Sequence, residues 1–189
     1  MNAFVRDLKV VQTVLSTEFR QAMRSLAGGV SVITVGRGDD ISGMTVTSLS
    51  SFSVDPPALI VSINRQSSSW PILRRDGVFG VNILAADQVE IAERFAGKGG
   101  LKGLARFAAL QRRTLLTGVP LLAGTLVGID CEVEHVIERH SHAIVVGRVL
   151  ALERGGGGGA LFHWDGQFIA VGADPAETEV PTAWALRGT

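Results

Sequence analysis

The sequence predicts a mainly β protein, an antiparallel barrel of several strands with short helices set between them. Three observations lead there. Short β-branched or apolar runs recur along the chain, turn signals separate them, and few segments show the apolar spacing of a helix. The glycines form no Gly-x-Gly-x-x-Gly between a strand and a helix, and strands and helices do not alternate as a parallel sheet requires.

In chain order, Ser16-Thr17 reads as a helix N-cap. Phe19, Ala22, Met23, Leu26 and Ala27 then recur at helical spacing until Gly28-Gly29 ends the run. Residues 30–35 are a β-branched strand closed by a turn at 36–40. Residues 41–53 look extended but polar, and Asp55-Pro56-Pro57 stops them. Residues 58–64 (ALIVSIN) have the composition of a buried strand. Ser67-Ser68-Ser69 precedes a short helix with Pro71 in its first turn.

Residues 78–84 form another strand, and Asp87 with Glu90 makes a capping box for a helix whose apolar face holds Ile91, Ala92 and Phe95. Residues 97–103, with four glycines and two lysines, are expected as a mobile loop. After the Gly118-Val119-Pro120 turn come two long strands, 125–139 and 143–153, joined at His140-Ser141-His142. The glycine run 155–159 is expected as a flexible connection, and 160–172 as a hairpin turning at Asp165-Gly166. The chain divides into an N-terminal extension (1–16), one domain (17–172) and a C-terminal tail (173–189).

A length of 189 residues suits one domain, and 46% hydrophobic with 19% charged residues is a globular composition. Zero formal net charge offers no global field to recruit nucleic acid or an anionic membrane, so an anionic ligand needs a local site. The N-terminus (MNAFVRDLKVVQ) lacks the apolar core of a signal peptide, and no run approaches a membrane span. A cytoplasmic protein is expected. Cys131, the single cysteine, cannot form an internal disulfide and reads as a buried, inert thiol.

Residues 42–53 (SGMTVTSLSSFS) are the most informative stretch. Thr45, Thr47, Ser48, Ser50, Ser51 and Ser53 supply donors and acceptors with little bulk, as a wall facing a planar heterocycle with polar edges needs. Gly43 would let a backbone approach closely. Composition alone leaves a solvated edge strand open. At Ser67-Ser68-Ser69 the helix start favours a phosphate, with plain N-capping as the alternative. Arg65, Lys98, Lys102 and Arg106 are available as cations.

The stretches FRQAMRSLAGGVSVIT, SGMTVTSLSSFSVDPPALIVSIN, SSSWPIL, FGVNIL, RFAG, TGVPLL, and GRV followed by LFHWDGQF run in order over residues 19–171. In this combination the chain resembles the short flavin reductases of two-component monooxygenases, in the FMN-binding split-barrel superfamily. The resemblance implies an antiparallel split β-barrel of Greek-key type. It also implies a flavin reductase that takes hydride from NADH or NADPH and reduces FMN or FAD. By position it implies isoalloxazine contacts at Thr45, Val46, Thr47, Ser48, Leu49, Ser51 and Phe52. The ribityl phosphate end maps to Gln66, Ser67, Ser68, Ser69 and Trp70, and the flavin tail to Phe95 and Ala96, with Arg106 assisting the phosphates. Relatives carry Gly-Asp-His in the hairpin tied to nicotinamide. Here His140-Ser141-His142 keeps the histidine at His142 and has serine in place of aspartate.

Such chemistry needs no acid–base dyad, nucleophile or metal from the protein, because the cofactors carry the electrons. The resemblance further implies a homodimer and a flavin-dependent monooxygenase component that receives reduced flavin by diffusion. Two other readings stay open: a flavin-binding carrier or electron-transfer protein without NAD(P)H turnover, and a split-barrel oxidase of a small amine. His135, His140 and His142 also suggest a metal site, but no Cys/His pair at standard spacing completes it.

Overall fold

The computed structural model describes residues 13–172; most of the expected N-terminal extension and all of the expected C-terminal tail lie outside the described residues. The helices are α1 (Ser16–Met23), α2 (Trp70–Asp76) and α3 (Val89–Ala96). The strands are β1 (Gly28–Gly29), β2 (Ser31–Arg37), β3 (Asp40–Val46), β4 (Ser50–Val54), β5 (Pro57–Asn64) and β6 (Val78–Ile83). After them come β7 (Arg112–Arg113), β8 (Leu121–Leu122), β9 (Val127–Arg139), β10 (His142–Arg154), β11 (Ala160–Trp164) and β12 (Gln167–Val171). Over the described residues the protein is mainly β with three short helices, and every strand pairing is antiparallel.

Seven strands form one sheet in the order β3-β2-β6-β9-β10-β5-β4. The two edge strands, β3 and β4, are consecutive in the chain. Laid flat, they would be six strand spacings apart, roughly 29 Å at about 4.8 Å each. The steps from Val46 to Ser50 reach at most about 14 Å. The sheet is therefore curled until its edges face one another, without a ladder between β3 and β4. Instead, Ser48 clips the seam: its Oγ donates to Ser62 O (2.9 Å) and accepts from Ser62 N (3.2 Å) on β5.

β2 is buried on both faces except at Arg37 and alternates between two cores. Ile33 and Val35 join Met44, Leu59, Val61, Ile63, Leu73, Phe79, Val81, Cys131 and Val145 inside the curl. Val32, with Val30, joins Ile41, Leu84, Ala92, Phe95, Phe107, Leu122 and Leu161 beneath α3 and the small β1-β11-β12 sheet. The buried polar groups between them are paired. Thr34 Oγ1 donates to Pro120 O, and Asn82 donates to Val32 O and accepts from Leu122 N.

Several local expectations need correction. The polar stretch 41–53 is two strands at opposite sheet edges, because curling the sheet requires the chain to cross at residues 47–49. Asp55-Pro56 is a hairpin turn, and β5 begins at Pro57. α1 starts after Leu15, ends at Met23 and buries nothing, leaving Phe19 56% and Leu26 67% exposed. Its continuation is prevented by Gly28 and Gly29, which pair with β11. No Asp87 capping box forms; Gln88 sits at the start of α3, and its Oε1 accepts from Ala85 N (3.0 Å). Residues 97–103 contain 3-10 turns at Lys98–Gly100 and the start of Gly103–Phe107.

The β7–β8 pair was not anticipated, since a two-residue strand has no period to read. The glycine run is tied at both ends, by Gly155 N to Leu126 O (2.8 Å) and Ala86 N to Gly159 O (2.8 Å). The two long strands, the 160–172 hairpin with its Asp165-Gly166 turn and the strand at 58–64 match expectation.

Candidate functional site

Curling the sheet gathers five parts of the chain beside the seam. β3 runs into Thr47 and Ser48 along one side. β5 contributes Ser62 and Asn64, and its exit loop Ser67 and Ser68. The end of α3 adds Phe95 and Ala96, the following 3-10 turn adds Arg106, and the first residue of β10 adds His142. With Met44, Thr45 and Val46 these residues line an open cleft of about 440 Å³.

The exit loop is held by its own backbone. Asn64 Oδ1 accepts from Gln66 N (2.9 Å), and Asn64 O from Ser67 N (3.1 Å). Arg65 ties the loop to the β9–β10 turn through Ser141 O (2.9 Å), His140 O (3.1 Å) and a 2.6 Å ion pair with Glu138. The Ser67 hydroxyl oxygen is buried at the cleft and has no hydrogen-bond partner among the described residues. Such an orphan group costs free energy until something at the site satisfies it.

Arg106 is the cation of the cleft. Its Nε donates to Leu101 O (2.8 Å), and its Nη1 to Gly43 O and Phe95 O. Among the described residues its only partners are thus carbonyls, with no carboxylate. Burial lowers its pKa from the ordinary arginine value. A guanidinium desolvated without a counter-charge is suited to receive an anion.

Gly43 has a different part from the one expected. A Cβ there would meet Phe95 at 2.7 Å and Ile33 O at 3.0 Å, so glycine admits the Phe95 ring, not a ligand. Phe95 then stacks edge-on against Phe107, with ring centroids 5.0 Å apart. The Thr45 hydroxyl is occupied too, donating to Ala92 O (2.6 Å) and fixing α3 to β3.

Of the sequence-predicted residues, the fold brings together Thr45, Val46, Thr47, Ser48, Ser67, Ser68, Phe95, Ala96, Arg106 and His142. Leu49, Ser51, Phe52, Gln66, Ser69 and Trp70 do not line the cleft. Leu49 and Ser51 border an apolar groove instead, and Phe52 is 62% exposed, because the chain has passed to the far edge of the sheet. Ser69 is turned inside, 0% exposed, with its Oγ 2.9 Å from Ser42 Oγ. Trp70 packs against the first core and lies near Arg74.

Serine capping is also absent: Ser69 precedes α2 without a side-chain cap bond, and α2 is only seven residues long. Polar donors offered by this loop are therefore side chains and loop amides. Met44, Ser62 and Asn64 were missed as lining residues. The polar Ser62 and Asn64 interrupting an apolar strand were the available signal. Cys131 is buried with its pKa raised to about 12, by desolvation first and neighbouring Asp130 second, so the thiol is inert. No group of three metal-ligating side chains occurs among the described residues, and none of their helices is long and apolar enough to cross a membrane.

A cleft lined by short hydroxyls, the Phe95 ring, a cation and an orphan hydroxyl fits a planar polar-edged ring bearing a phosphate. The comparisons agree with that chemistry. Residues 23–172 match the family model described as a flavin reductase like domain. The chain is similar to the FMN reductase (NADH) RutF of Cronobacter sakazakii, 34% identical over 153 residues, 81% of this chain and 91% of that protein. It is also similar to BorF, the flavin reductase component of a bacterial two-component tryptophan halogenase, with TM-score 0.77 and 34% identity over 84% of this chain and 99% of that one. Nitrilotriacetate monooxygenase component B from Mycobacterium thermoresistibile superposes with TM-score 0.78 at 28% identity, over 90% of this chain and 93% of that one.

Proposed function

Because the chain belongs to the flavin reductase like domain family, we propose that it is an NADH-dependent FMN reductase acting through the cleft beside the β3–β4 crossover. The curled seven-stranded sheet is then an FMN-binding split barrel of Greek-key type, with residues 17–172 as the working domain. The observation that carries the reading is the pairing of Arg106, cationic and without a carboxylate, with the orphan Ser67 hydroxyl at one cleft. Both are satisfied by a phosphate.

When bound, flavin supplies a ring that accepts hydride from a stacked nicotinamide, so the protein need provide only position and polarity. Thr47, Ser48 and the neighbouring backbone offer polar contacts along the ring. Ser67, Ser68 and Arg106 hold the phosphate. Phe95 and Ala96 form an apolar wall that excludes water from one side. His142 stands at the cleft with Nδ1 2.8 Å from Ser141 Oγ, which fixes the imidazole as an orienting group for the nicotinamide. Ser141 replaces a carboxylate with a neutral hydroxyl, so orientation here works without a negative charge beside the ring.

Reduced FMN leaves for a separate flavin-dependent monooxygenase component, as the two-component neighbours suggest. A homodimer is part of the reading. The groove of about 380 Å³ lined by Leu49, Val54, Ile129 and Leu152 leaves Val54 85% and Leu152 55% exposed, an apolar face suited to a second copy. Anaerobic mixing of the purified protein with NADH and FMN tests the activity. NADH oxidation that depends on added FMN is expected; a chain that binds FMN but leaves NADH untouched is a carrier, and the reductase reading fails.

A further inference from the structure

Ser42 lies outside the cleft on β3, 1% exposed, yet its hydroxyl reaches two others. Its Oγ is 2.9 Å from Ser69 Oγ and 3.3 Å from Ser68 Oγ. Ser69 is fully buried, and among the described residues Ser42 is the only side-chain partner of its hydroxyl; Ser68 is exposed at the cleft. The three hydroxyls join the ring strand β3 to the loop that bears the orphan Ser67.

Each hydroxyl has one proton to donate. In one order Ser69 donates to Ser42, Ser42 donates to Ser68, and the Ser68 proton is left for the cleft. In the other, Ser68 donates to Ser42 and Ser42 to Ser69. That order strands the Ser69 proton in the core and turns only lone pairs of Ser68 toward the ligand. A buried donor without an acceptor costs about 1–3 kcal/mol. Burial of Ser69 and an anion at Ser68 thus select the same order.

We propose that Ser42 is a positioning residue that orients this hydroxyl chain and makes Ser68 a committed donor to the flavin phosphate. Selectivity for phosphorylated over unphosphorylated flavin then originates partly at a buried residue that touches no ligand. A donated chain polarises each hydroxyl in turn, which strengthens the last bond to an anion more than one to a neutral group. The inference rests on the flavin reading of the cleft.

The test is titration of FMN and of riboflavin by quenching of flavin fluorescence, without NADH, in the full chain. Ser42→Ala is expected to weaken FMN by about tenfold, the scale of one hydrogen bond to a charged group, and to move riboflavin by less than about twofold. Ser69→Ala, which removes the buried end of the chain, is expected to weaken FMN about threefold with riboflavin again unmoved. Thermal unfolding checks each variant, and if Ser42→Ala does not fold, Ser69→Ala alone decides. Equal losses for both flavins, or unchanged FMN affinity, overturn the proposal. Wild-type protein that binds neither flavin overturns the reading of the cleft itself.

Discussion

β3 and β4 carry nearly the same chemistry and do opposite things. Both are rich in short hydroxyls, and only three residues separate them. On β3, Ser42 and Thr45 are engaged in side-chain hydrogen bonds with α3 and the α2 approach, and the strand borders the polar cleft. On β4, the Ser50 hydroxyl donates to Ser51 O next to it, and Ser50, Ser51 and Ser53 border the apolar groove. Hydroxyl content does not make a binding wall. It becomes one where a helix, a loop and a cation converge on it, and curling the sheet brings them to β3 but not to β4.

The sharpest way to break this contrast is at the β3–α3 contact. Gly43→Val would drive a branched side chain into the buried Phe95 ring and against the Ile33 carbonyl. A loss of about 3 kcal/mol in chemical denaturation is expected, with FMN binding lost alongside. Arg106→Gln comes next. It should weaken FMN by about 10- to 100-fold, the worth of a charge-assisted bond, while riboflavin moves far less because it has no phosphate. Comparable losses for both flavins would show that Arg106 serves the fold through Gly43 O and Phe95 O, not the anion.

Ser48→Ala removes both bonds that clip the seam to Ser62 and should cost about 1 kcal/mol, read as a lower unfolding midpoint. The effects should be smallest on β4. Ser50→Ala and Ser51→Ala should each change stability by less than about 0.5 kcal/mol and leave FMN titration unchanged. A β4 variant as damaging as Ser48→Ala would erase the distinction between the two edges. Val54→Glu puts a charge into the apolar groove itself: a shift from dimer to monomer in light scattering is expected if a second copy covers the groove.

Much of the fold was legible because it is local. β5 announced itself as an apolar run, and β11–β12 through Asp165-Gly166, whose residues adopt the positive φ a tight turn needs. The long β9–β10 hairpin followed from its β-branched strands and the turn at His140-Ser141. Less legible was anything settled by a distant partner. Asp87 and Glu90 match a capping box, yet Gln88 took the position because its side chain also reaches Ala123 O (3.2 Å). α1 has helical spacing but buries none of its residues within the described residues, which no periodicity reveals.

The site divides the same way. Short hydroxyls at 45–48 and 67–68, with Arg106, were visible as residue types in a motif, and the fold gathers them into one cleft. Leu49, Ser51 and Phe52 came from the resemblance by position, and in the fold they lie beyond the crossover, outside the lining of this cleft. Ser69 belonged to the same serine run, and the helical turn it begins rotated it into the core.

By itself, then, the amino-acid order determined most of the strands and turns, and which side chains are capable of polar contact, since these depend on neighbours within a few residues. Only the tertiary structure decided which hydroxyls face the cleft, which pair with each other and which face a second apolar surface. Those outcomes depend on sheet order and curvature, which bring Ser42 to Ser69 and Arg106 to Gly43 across 27 and 63 residues of chain. Contacts of that span have no signature in local pattern.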